Sequence, residues 1–251
     1  MATQADIELI DTHCHIDNVR FDQDRDNVLA HCTSLGIKRL IVPGVSASNW
    51  KKISSLVHQH PMLSPAYGLH PLYTSTHNIS DIEFLNEYLD MENPVAVGEI
   101  GLDFFVNRDD RDIQKEYFIQ QLQIASDKRL PVILHARKSH NEILNCLNKY
   151  PVSGGICHAF NGSLQQAYNY INKGFKLGFG GAITFSNSNK LRKLAVELPL
   201  DAIVLETDSP DMSGAQHKGQ RNSPEYLPEI LNDLALIRKE PIEYIAEKQI
   251  L

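Results

Sequence analysis

Short apolar runs rich in β-branched residues alternate along the chain with longer segments whose apolar residues recur at helical spacing. Eight such runs lie at 7–11, 39–42, 63–69, 95–98, 131–134, 155–157, 175–179 and 202–205. This alternation is typical of repeated βα units with a parallel sheet. Eight units within 251 residues match the strand number and length of a TIM barrel, so we predict an α/β fold, a TIM-like (β/α)8 barrel.

The segments between the runs carry sequence signals for helix starts. In a capping box, a Ser or Thr side chain and a Glu or Gln three residues later each accept a backbone N–H at the first turn. Three pairs fit this spacing: Ser80 with Glu83, Ser139 with Glu142, and Ser163 with Gln166. Pro224 suits the first turn of another helix. No composition break or low-complexity linker divides the chain, so we expect a single domain over residues 1–251.

Composition narrows the class of protein. The apolar fraction of 42% and the charged fraction of 22% are those of an ordinary globular chain and exclude collagen-like and disordered classes. No apolar run approaches the length of a membrane span. The first ten residues lack the basic start and the apolar stretch of a secretory signal, so we expect a cytoplasmic protein. The four cysteines form no CxxC pair, which indicates reduced thiols: Cys14, Cys32, Cys146 and Cys157.

The charge balance constrains how the protein could meet nucleic acid. A formal net charge of −7 argues against binding that covers a large surface through release of counterions. It does not exclude a pocket that takes one strand end and in which metal ions supply the positive charge.

Histidine and acidic residues follow six of the eight runs. In a parallel barrel the carboxyl ends of the strands meet on one face, where active sites lie, so these residues should come together. His13 and His15 are two residues apart, a spacing that points both rings to the same side of a strand. The same alternation sends Cys14 the other way, and we interpret Cys14 and Cys157 as packing residues.

Four imidazoles and two carboxylates would be poorly compensated if they were buried together without a cation, whereas both groups are ordinary ligands of divalent metals. The predicted ligands are His13, His15, Glu99, His135, His158 and Asp208. Six ligands exceed what one tetrahedral zinc with an open position needs, so we expect two divalent metal ions, Zn, Mg or Mn, that share a carboxylate.

The motifs at the strand ends resemble, in order, the signatures of the TatD family of metal-dependent hydrolases in the amidohydrolase superfamily. They are DTHCH at 11–15, GLHP at 68–71, GEIGLD at 98–103, LHAR at 134–137, CHAFNG at 157–162 and LETDSP at 205–210. The resemblance covers nearly the whole chain. It implies a TIM-like barrel, a dinuclear metal site and deoxyribonuclease activity, commonly a 3′-to-5′ exonuclease on single strands.

Carried over by position, the resemblance implies that His13 and His15 bind one metal with Asp208, that Glu99 bridges, and that His135 and His158 bind the second. A dinuclear site lowers the pKa of a bridging water, and Asp208 could orient that water and accept its proton. Glu99 and Asp208 are therefore the expected catalytic residues.

Other residues of the same strand ends are candidates for contact with substrate. His70 suits either a phosphate or leaving-group contact or a loop-stabilising hydrogen bond. Arg137 could bind phosphate or make a surface salt bridge. Arg221 is a weaker candidate for the nucleic-acid backbone. Asp103 is expected to orient a ligand or fix a loop. The aromatic residues Phe104, Phe105 and Phe160 could stack a base or pack in the core or a loop.

Two departures from the family pattern keep other functions open. Ser223 stands where the family has an acid in its Arg-Asn-Glu-Pro stretch, and Asp211-Met212 follows Pro210 where many members have Tyr-Leu. The excess of acidic over basic residues and the altered loop after Pro210 favour an alternative function. This is the hydrolysis of a small-molecule ester, lactone or cyclic amide at the same metals. A binding protein without catalysis is a third reading, which the full ligand set disfavours. DNA ends or oligonucleotides are the expected partners, and no membrane or obligate protein partner is implied.

Overall fold

The computed structural model describes residues 7–106 and 110–249. Its strands are β1 (Leu9–Asp11), β2 (Ile37–Pro43), β3 (Leu63–Tyr67), β4 (Ala96–Asp103), β5 (Val132–Arg137), β6 (Gly155–Cys157), β7 (Phe175–Phe179) and β8 (Ile203–Leu205). Its α-helices are α1 (Arg25–Ser34), α2 (Ala47–Gln59), α3 (Ser80–Glu92), α4 (Arg111–Lys128), α5 (His140–Lys149), α6 (Leu164–Ile171), α7 (Asn189–Glu197), α8 (Leu227–Arg238) and α9 (Ile242–Glu247).

The strands form one eight-stranded sheet in chain order, from β1 to β8. Helices follow the strands in the alternation that the hydrophobic pattern predicted, and each predicted run coincides with a strand. The main difference is β4, which continues to Asp103, five residues beyond the predicted run. Glu99, Gly101 and Asp103 interrupt the apolar residues of this extension and yet are buried, so a search for apolar runs ends too early. The TIM-like (β/α)8 fold class is confirmed.

The chain divides into two compact units, Met1–Val42 with Leu177–Leu251, and Pro43–Lys176. In the first unit, β1 pairs in parallel with β2, with Ile10 opposite Arg39. In the same unit β7 pairs in parallel with β8, with Gly178 opposite Val204. The buried residues of α8 pack this unit's core, and they recur at the helical spacing that the sequence showed.

The second unit contains the parallel pairs β3–β4, β4–β5 and β5–β6. An aromatic cluster fills its core, in which the Trp50 ring lies 5.4 Å from that of Tyr88 and Tyr88 packs edge-on against Tyr67 at 4.9 Å. Gly101 lets β4 approach β5 closely, because its φ is 146° and a Cβ there would lie 2.0 Å from the His135 carbonyl oxygen. This contact brings the end of β4 against His135.

The three predicted capping boxes have different outcomes. Ser163 forms the box with Gln166 at the start of α6, as predicted. Ser139 precedes α5, but its hydroxyl donates to the Leu102 carbonyl, so the prediction of a capping box with Glu142 is wrong. Ser80 is the first residue of α3 rather than its cap, so that prediction is also wrong. Pro224 begins a short 3-10 helix, Pro224–Tyr226, directly before α8.

Two further observations concern the chemical class of the chain. All four cysteines are buried and none forms a disulfide, in line with the reduced thiols that the sequence predicted. Across the part of the chain that the structure describes, no helix has both the length and the apolar character needed to cross a membrane.

Candidate metal centre

In the first unit, the segment after β1 is joined to the segment after β8 by backbone hydrogen bonds. The N–H of Asp208 donates to the His13 carbonyl at 2.9 Å, and the N–H of His15 donates to the Ser209 carbonyl at 2.8 Å. Cys14, between the two histidines, is fully buried with its Sγ 3.1 Å from the Ser209 hydroxyl, in agreement with a packing role. The alternation of the chain thus sends the two imidazoles to the side opposite Cys14.

His13, His15 and Asp208 present three ligand atoms to one another. The Nε2 atoms of the two histidines are 3.3 Å apart, and each lies 3.8 Å from Asp208 Oδ1. Two nitrogens bound to one tetrahedral zinc at about 2.0–2.1 Å would stand about 3.3–3.4 Å apart. The donor set and the spacing of its nitrogens therefore fit a divalent cation.

The backbone of Asp208 has φ of 56°, a left-handed conformation that Asp and Asn adopt more readily than other residues with a side chain. The hydrogen bond from its N–H to His13 holds this conformation. The position therefore favours a short polar side chain for a reason independent of metal binding.

Asp11 ties the ends of β1 and β8 together. Its Oδ1 accepts the N–H groups of His13 and Thr207 at 3.2 and 3.0 Å, and its Oδ2 accepts the Thr207 hydroxyl at 2.6 Å. Complete burial raises the pKa of Asp11 to about 7, against the lowering effect of these hydrogen bonds. The neighbouring charge of Glu206 adds to the increase. Asp11 therefore acts on the fold around His13 rather than as an exposed ligand.

Glu206 is a buried carboxylate that was not among the predicted site residues. It lies beside Gly178, where an added Cβ would be 2.1 Å from Glu206 Oε2. The sequence did contain a signal, because Glu206 is acidic and directly follows the strand β8. It lies within the motif at 205–210, and neither its position nor its type distinguishes it there as a residue with a separate role.

In the second unit, Glu99, His135 and Asp103 form a chain of contacts at the ends of β4 and β5. His135 Nδ1 lies 3.0 Å from Glu99 Oε1, and His135 Nε2 lies 3.0 Å from Asp103 Oδ2. When Asp103 accepts the proton on Nε2, Nδ1 is left as the nitrogen that can bind a metal. Asp103 thus has the position expected of a residue that orients a ligand.

The charges of this chain affect both partners. Burial alone would lower the pKa of His135, but its contacts with Asp103 and Glu99 raise it above the usual value. Burial would likewise raise the pKa of Asp103, but the hydrogen bonds from His135 and from the Phe105 and Val106 N–H groups hold it below the usual value. Asp103 and Glu99 thus favour the protonated form of the His135 imidazole, and His135 favours the ionised form of Asp103.

His70 faces the same carboxylate, with its Nε2 3.3 Å from Glu99 Oε1. Its Nδ1 accepts the N–H of Leu72 at 3.1 Å, so the ring proton must be on Nε2, directed at Glu99. A protonated nitrogen is not a metal ligand. The donor atoms of His70, Glu99 and His135 nevertheless lie within 4.8 Å of one another, so the three form one compact group.

Two buried glutamines of α4 support this group, and the sequence analysis missed both. Gln121 accepts the Leu69 N–H at 2.7 Å and donates to the Leu69 carbonyl at 3.1 Å, next to His70. Gln114 makes the same pair of bonds with the backbone of Asp103, at 2.9 and 3.1 Å. Seven residues separate them, two turns on one face of the helix. A sequence signal existed in that spacing, but glutamine is usually exposed.

The remaining predicted residues take different positions. His158 is buried after β6, its N–H donates to the Leu134 carbonyl at 3.0 Å, and its ring lowers the pKa of His135. The Arg137 guanidinium lies over the Phe105 ring, 4.0 Å from its centroid. Phe104 packs against the guanidinium of Arg111. Phe160 is buried against His140, as the core alternative for it predicted.

Arg221 lies in the first unit, in an ion pair. It donates to both carboxylate oxygens of Asp24, at 2.8 and 2.6 Å, and lies over the Phe21 ring. These hydrogen bonds lower the pKa of Asp24. The geometry gives Arg221 a structural partner, and a contact with substrate stays a prediction. Nearby, the Ser223 hydroxyl donates to Glu225, which places a carboxylate close to the position where the sequence lacks the family's acid.

Comparison with known proteins finds matches over nearly the whole chain. The family model described as "TatD related DNase" matches residues 10–250. An uncharacterized metal-dependent hydrolase of Escherichia coli K12, YjjV, is 37% identical over 243 residues, covering 95% of this chain and 93% of the relative. The Bacillus subtilis protein YabD, also an uncharacterized metal-dependent hydrolase, is 30% identical over 240 residues, covering 95% and 94%.

Solved structures agree with the sequence relatives. The crystal structure of YjjV, described as a TatD homolog, superposes with a TM-score of 0.92 at 36% identity, covering 96% of this chain and 94% of that one. A TatD-family hydrolase from Entamoeba histolytica superposes with a TM-score of 0.85 at 19% identity, covering 97% and 95%, and supports the fold alone.

Proposed function

This chain belongs to the TatD family of metal-dependent hydrolases, and on that basis we propose that it hydrolyses phosphodiester bonds at the ends of single-stranded DNA, in the 3′-to-5′ direction. One observation carries the proposal: the family model described as a DNase matches residues 10–250. The compact groups of histidines and carboxylates in each unit support it.

We propose that two divalent cations, Zn, Mg or Mn, are held by six residues: His13, His15, Glu99, His135, His158 and Asp208. Their division between the ions follows the family resemblance, with Glu99 shared. When bound, such ions lower the pKa of a water and neutralise charge on a phosphoryl oxygen.

The chain's own residues supply positioning and proton transfer. Asp208, with its carboxylate 3.8 Å from two imidazoles, orients the attacking water and accepts its proton. His70, whose Nε2 carries a proton and faces Glu99, donates a hydrogen bond that fixes this carboxylate or a phosphoryl oxygen in its place. Asp103 keeps His135 in the orientation that presents Nδ1.

The test is a metal-dependent digestion. Purified protein is stripped with a chelator, reloaded separately with magnesium, manganese or zinc, and given single-stranded DNA labelled at its 5′ end. Progressive shortening from the 3′ end supports the proposal. Glu99→Gln is the matched control, because it removes one charge and keeps the side chain's size. DNA that stays intact with every metal, or Glu99→Gln protein that retains full activity, would overturn it.

One observation favours a second candidate, the hydrolysis of a small ester, lactone or cyclic amide. Asp211, in the loop after Pro210, holds an exposed carboxylate in an ion pair with Arg20 at 2.9 Å. The Asp211 carboxylate offsets the positive charge of Arg20, which disfavours binding of a polyanion there, and the net charge of −7 acts in the same direction. Turnover of lactones or simple phosphate esters together with inert DNA would favour this candidate.

A further inference from the structure

An aromatic ring lies exposed beside the Glu99–His135–Asp103 chain of contacts. Phe105 follows the end of β4, and 56% of its surface is accessible to solvent. Single exposed apolar residues are common and need no explanation on their own. Phe105 differs because its neighbours fix it in place next to the candidate metal ligands.

The turn that carries Phe105 is held by Asp103. The N–H groups of Phe105 and Val106 both donate to Asp103 Oδ1, at 2.9 and 3.2 Å, while the other oxygen of the same carboxylate contacts His135. The ring is therefore tied to the site through one side chain. Asp103 thus contacts both His135 and the turn that carries Phe105.

A guanidinium group covers one face of the ring. Arg137 Cζ lies 4.0 Å from the Phe105 centroid, and Arg137 Nη1 is 4.0 Å from Asp103 Oδ2. The Arg137 side chain is itself 46% exposed. Two stacked planar groups, one aromatic and one cationic, thus stand at the end of adjacent strands with surface still open to solvent.

We propose that Phe105 and Arg137 form a stacking platform for a nucleobase, that of the nucleotide next to the phosphodiester bond that is cut. This inference rests on the proposed function for its location. Bases stack on aromatic rings and on guanidinium planes, and such stacking tolerates any sequence because every base has a π-face. The positive charge also offsets the acidic balance of the chain.

The expected effect follows from the known strength of base stacking. Removing one base–aromatic contact lowers affinity by about 5- to 150-fold. A phosphate contact by Arg137 alone predicts a different result, because it would favour a nucleotide and a base-free sugar phosphate equally.

The test compares two small ligands on the metal-loaded protein by isothermal titration calorimetry: deoxyadenosine 5′-monophosphate and 2-deoxyribose 5-phosphate. We expect the wild type to bind the nucleotide more tightly by about 5- to 150-fold. Phe105→Ala should remove that preference, and Phe105→Trp should retain it. Phe84→Ala, which removes another partly exposed phenylalanine from helix α3, is the matched control and should keep the preference.

Thermal melts establish that each variant folds. A wild type that binds both ligands equally, or binds neither, overturns the platform, as does a folded Phe105→Ala protein that keeps the wild-type preference. Loss of affinity for both ligands to the same extent in Arg137→Gln also overturns it, because it assigns Arg137 to phosphate. The binding assay needs no turnover. A base preference in a protein that leaves DNA intact therefore refutes the nuclease proposal alone.

Discussion

Replacing Asp103 by asparagine tests whether this carboxylate sets the protonation of the His135 ring. In the wild-type chain Oδ2 lies 3.0 Å from His135 Nε2, and Oδ1 accepts the N–H groups of Phe105 and Val106. Asparagine has one acceptor oxygen and one NH2 donor group, so it cannot accept on both sides.

Either orientation of the amide has a cost. If its oxygen stays with the backbone N–H groups, its NH2 faces His135 Nε2, and the ring proton must move to Nδ1, the nitrogen that faces Glu99. If the amide turns, its NH2 faces two backbone donors, and each buried group left unpaired costs about 1–3 kcal/mol. Loss of such a partner typically weakens metal binding or activity about 10- to 100-fold, equivalent to about 1.4–2.7 kcal/mol.

The assay is a metal titration in competition with a chromophoric chelator near neutral pH. We expect Asp103→Asn to bind one ion about 10- to 100-fold more weakly than the wild type. Asp112→Asn removes an exposed carboxylate from the first turn of α4 and serves as the control, with wild-type affinity expected. Equal metal affinity in Asp103→Asn and the wild type, with both proteins folded, would refute Nδ1 as the ligand atom.

Three other predictions concern residues of both units. Asp208→Asn should abolish hydrolysis while the circular dichroism melt stays near that of the wild type, because asparagine tolerates the left-handed φ of 56°. Gln121→Leu should lower the melting temperature by several degrees, since the buried N–H and carbonyl of Leu69 lose their partner; an exposed glutamine of the same helix changed to leucine should have little effect. Arg221→Gln should destabilise the protein near neutral pH and progressively less as the pH falls below about 4, because the ion pair lowers the pKa of Asp24 and its contribution is lost as pH falls through that lowered value; a pH-independent difference between the two melting temperatures would contradict this.

The shared orientation of His13 and His15 could be predicted, and their neighbours at other strand ends are expected, because two regularities act together. The two-residue period of a strand places His13 and His15 on the same side, and parallel strands bring their carboxyl ends to one edge. The structure shows the first regularity directly in the 3.3 Å distance between the two Nε2 atoms. Both regularities depend only on the local chain or on the order of the strands, so they can be applied without knowledge of tertiary contacts.

The features that escaped prediction depend on tertiary partners. The Ser139 hydroxyl was expected to cap its own helix, but it donates to the Leu102 carbonyl on another element. Gln114 and Gln121 look like ordinary polar positions of a long helix, yet each bonds both backbone groups of a residue beside the candidate site. Helix propensity and periodicity describe one helix at a time, so they cannot predict a hydrogen-bond partner on another element.

The same reasoning explains why the reaction class follows from the sequence more readily than the substrate. Metal ligation needs particular side chains at fixed strand ends, and histidine, aspartate and glutamate can be recognised there from the sequence. Substrate choice depends on which groups stay exposed around those ligands, and exposure is a tertiary quantity. Phe104, Phe105 and Phe160 are indistinguishable in sequence, but Phe160 is buried and Phe105 is 56% exposed beneath Arg137. If Phe105→Ala alone removes the base preference, the exposure of that one ring determines how the protein recognises its substrate, and the metal ligands contribute nothing to the preference.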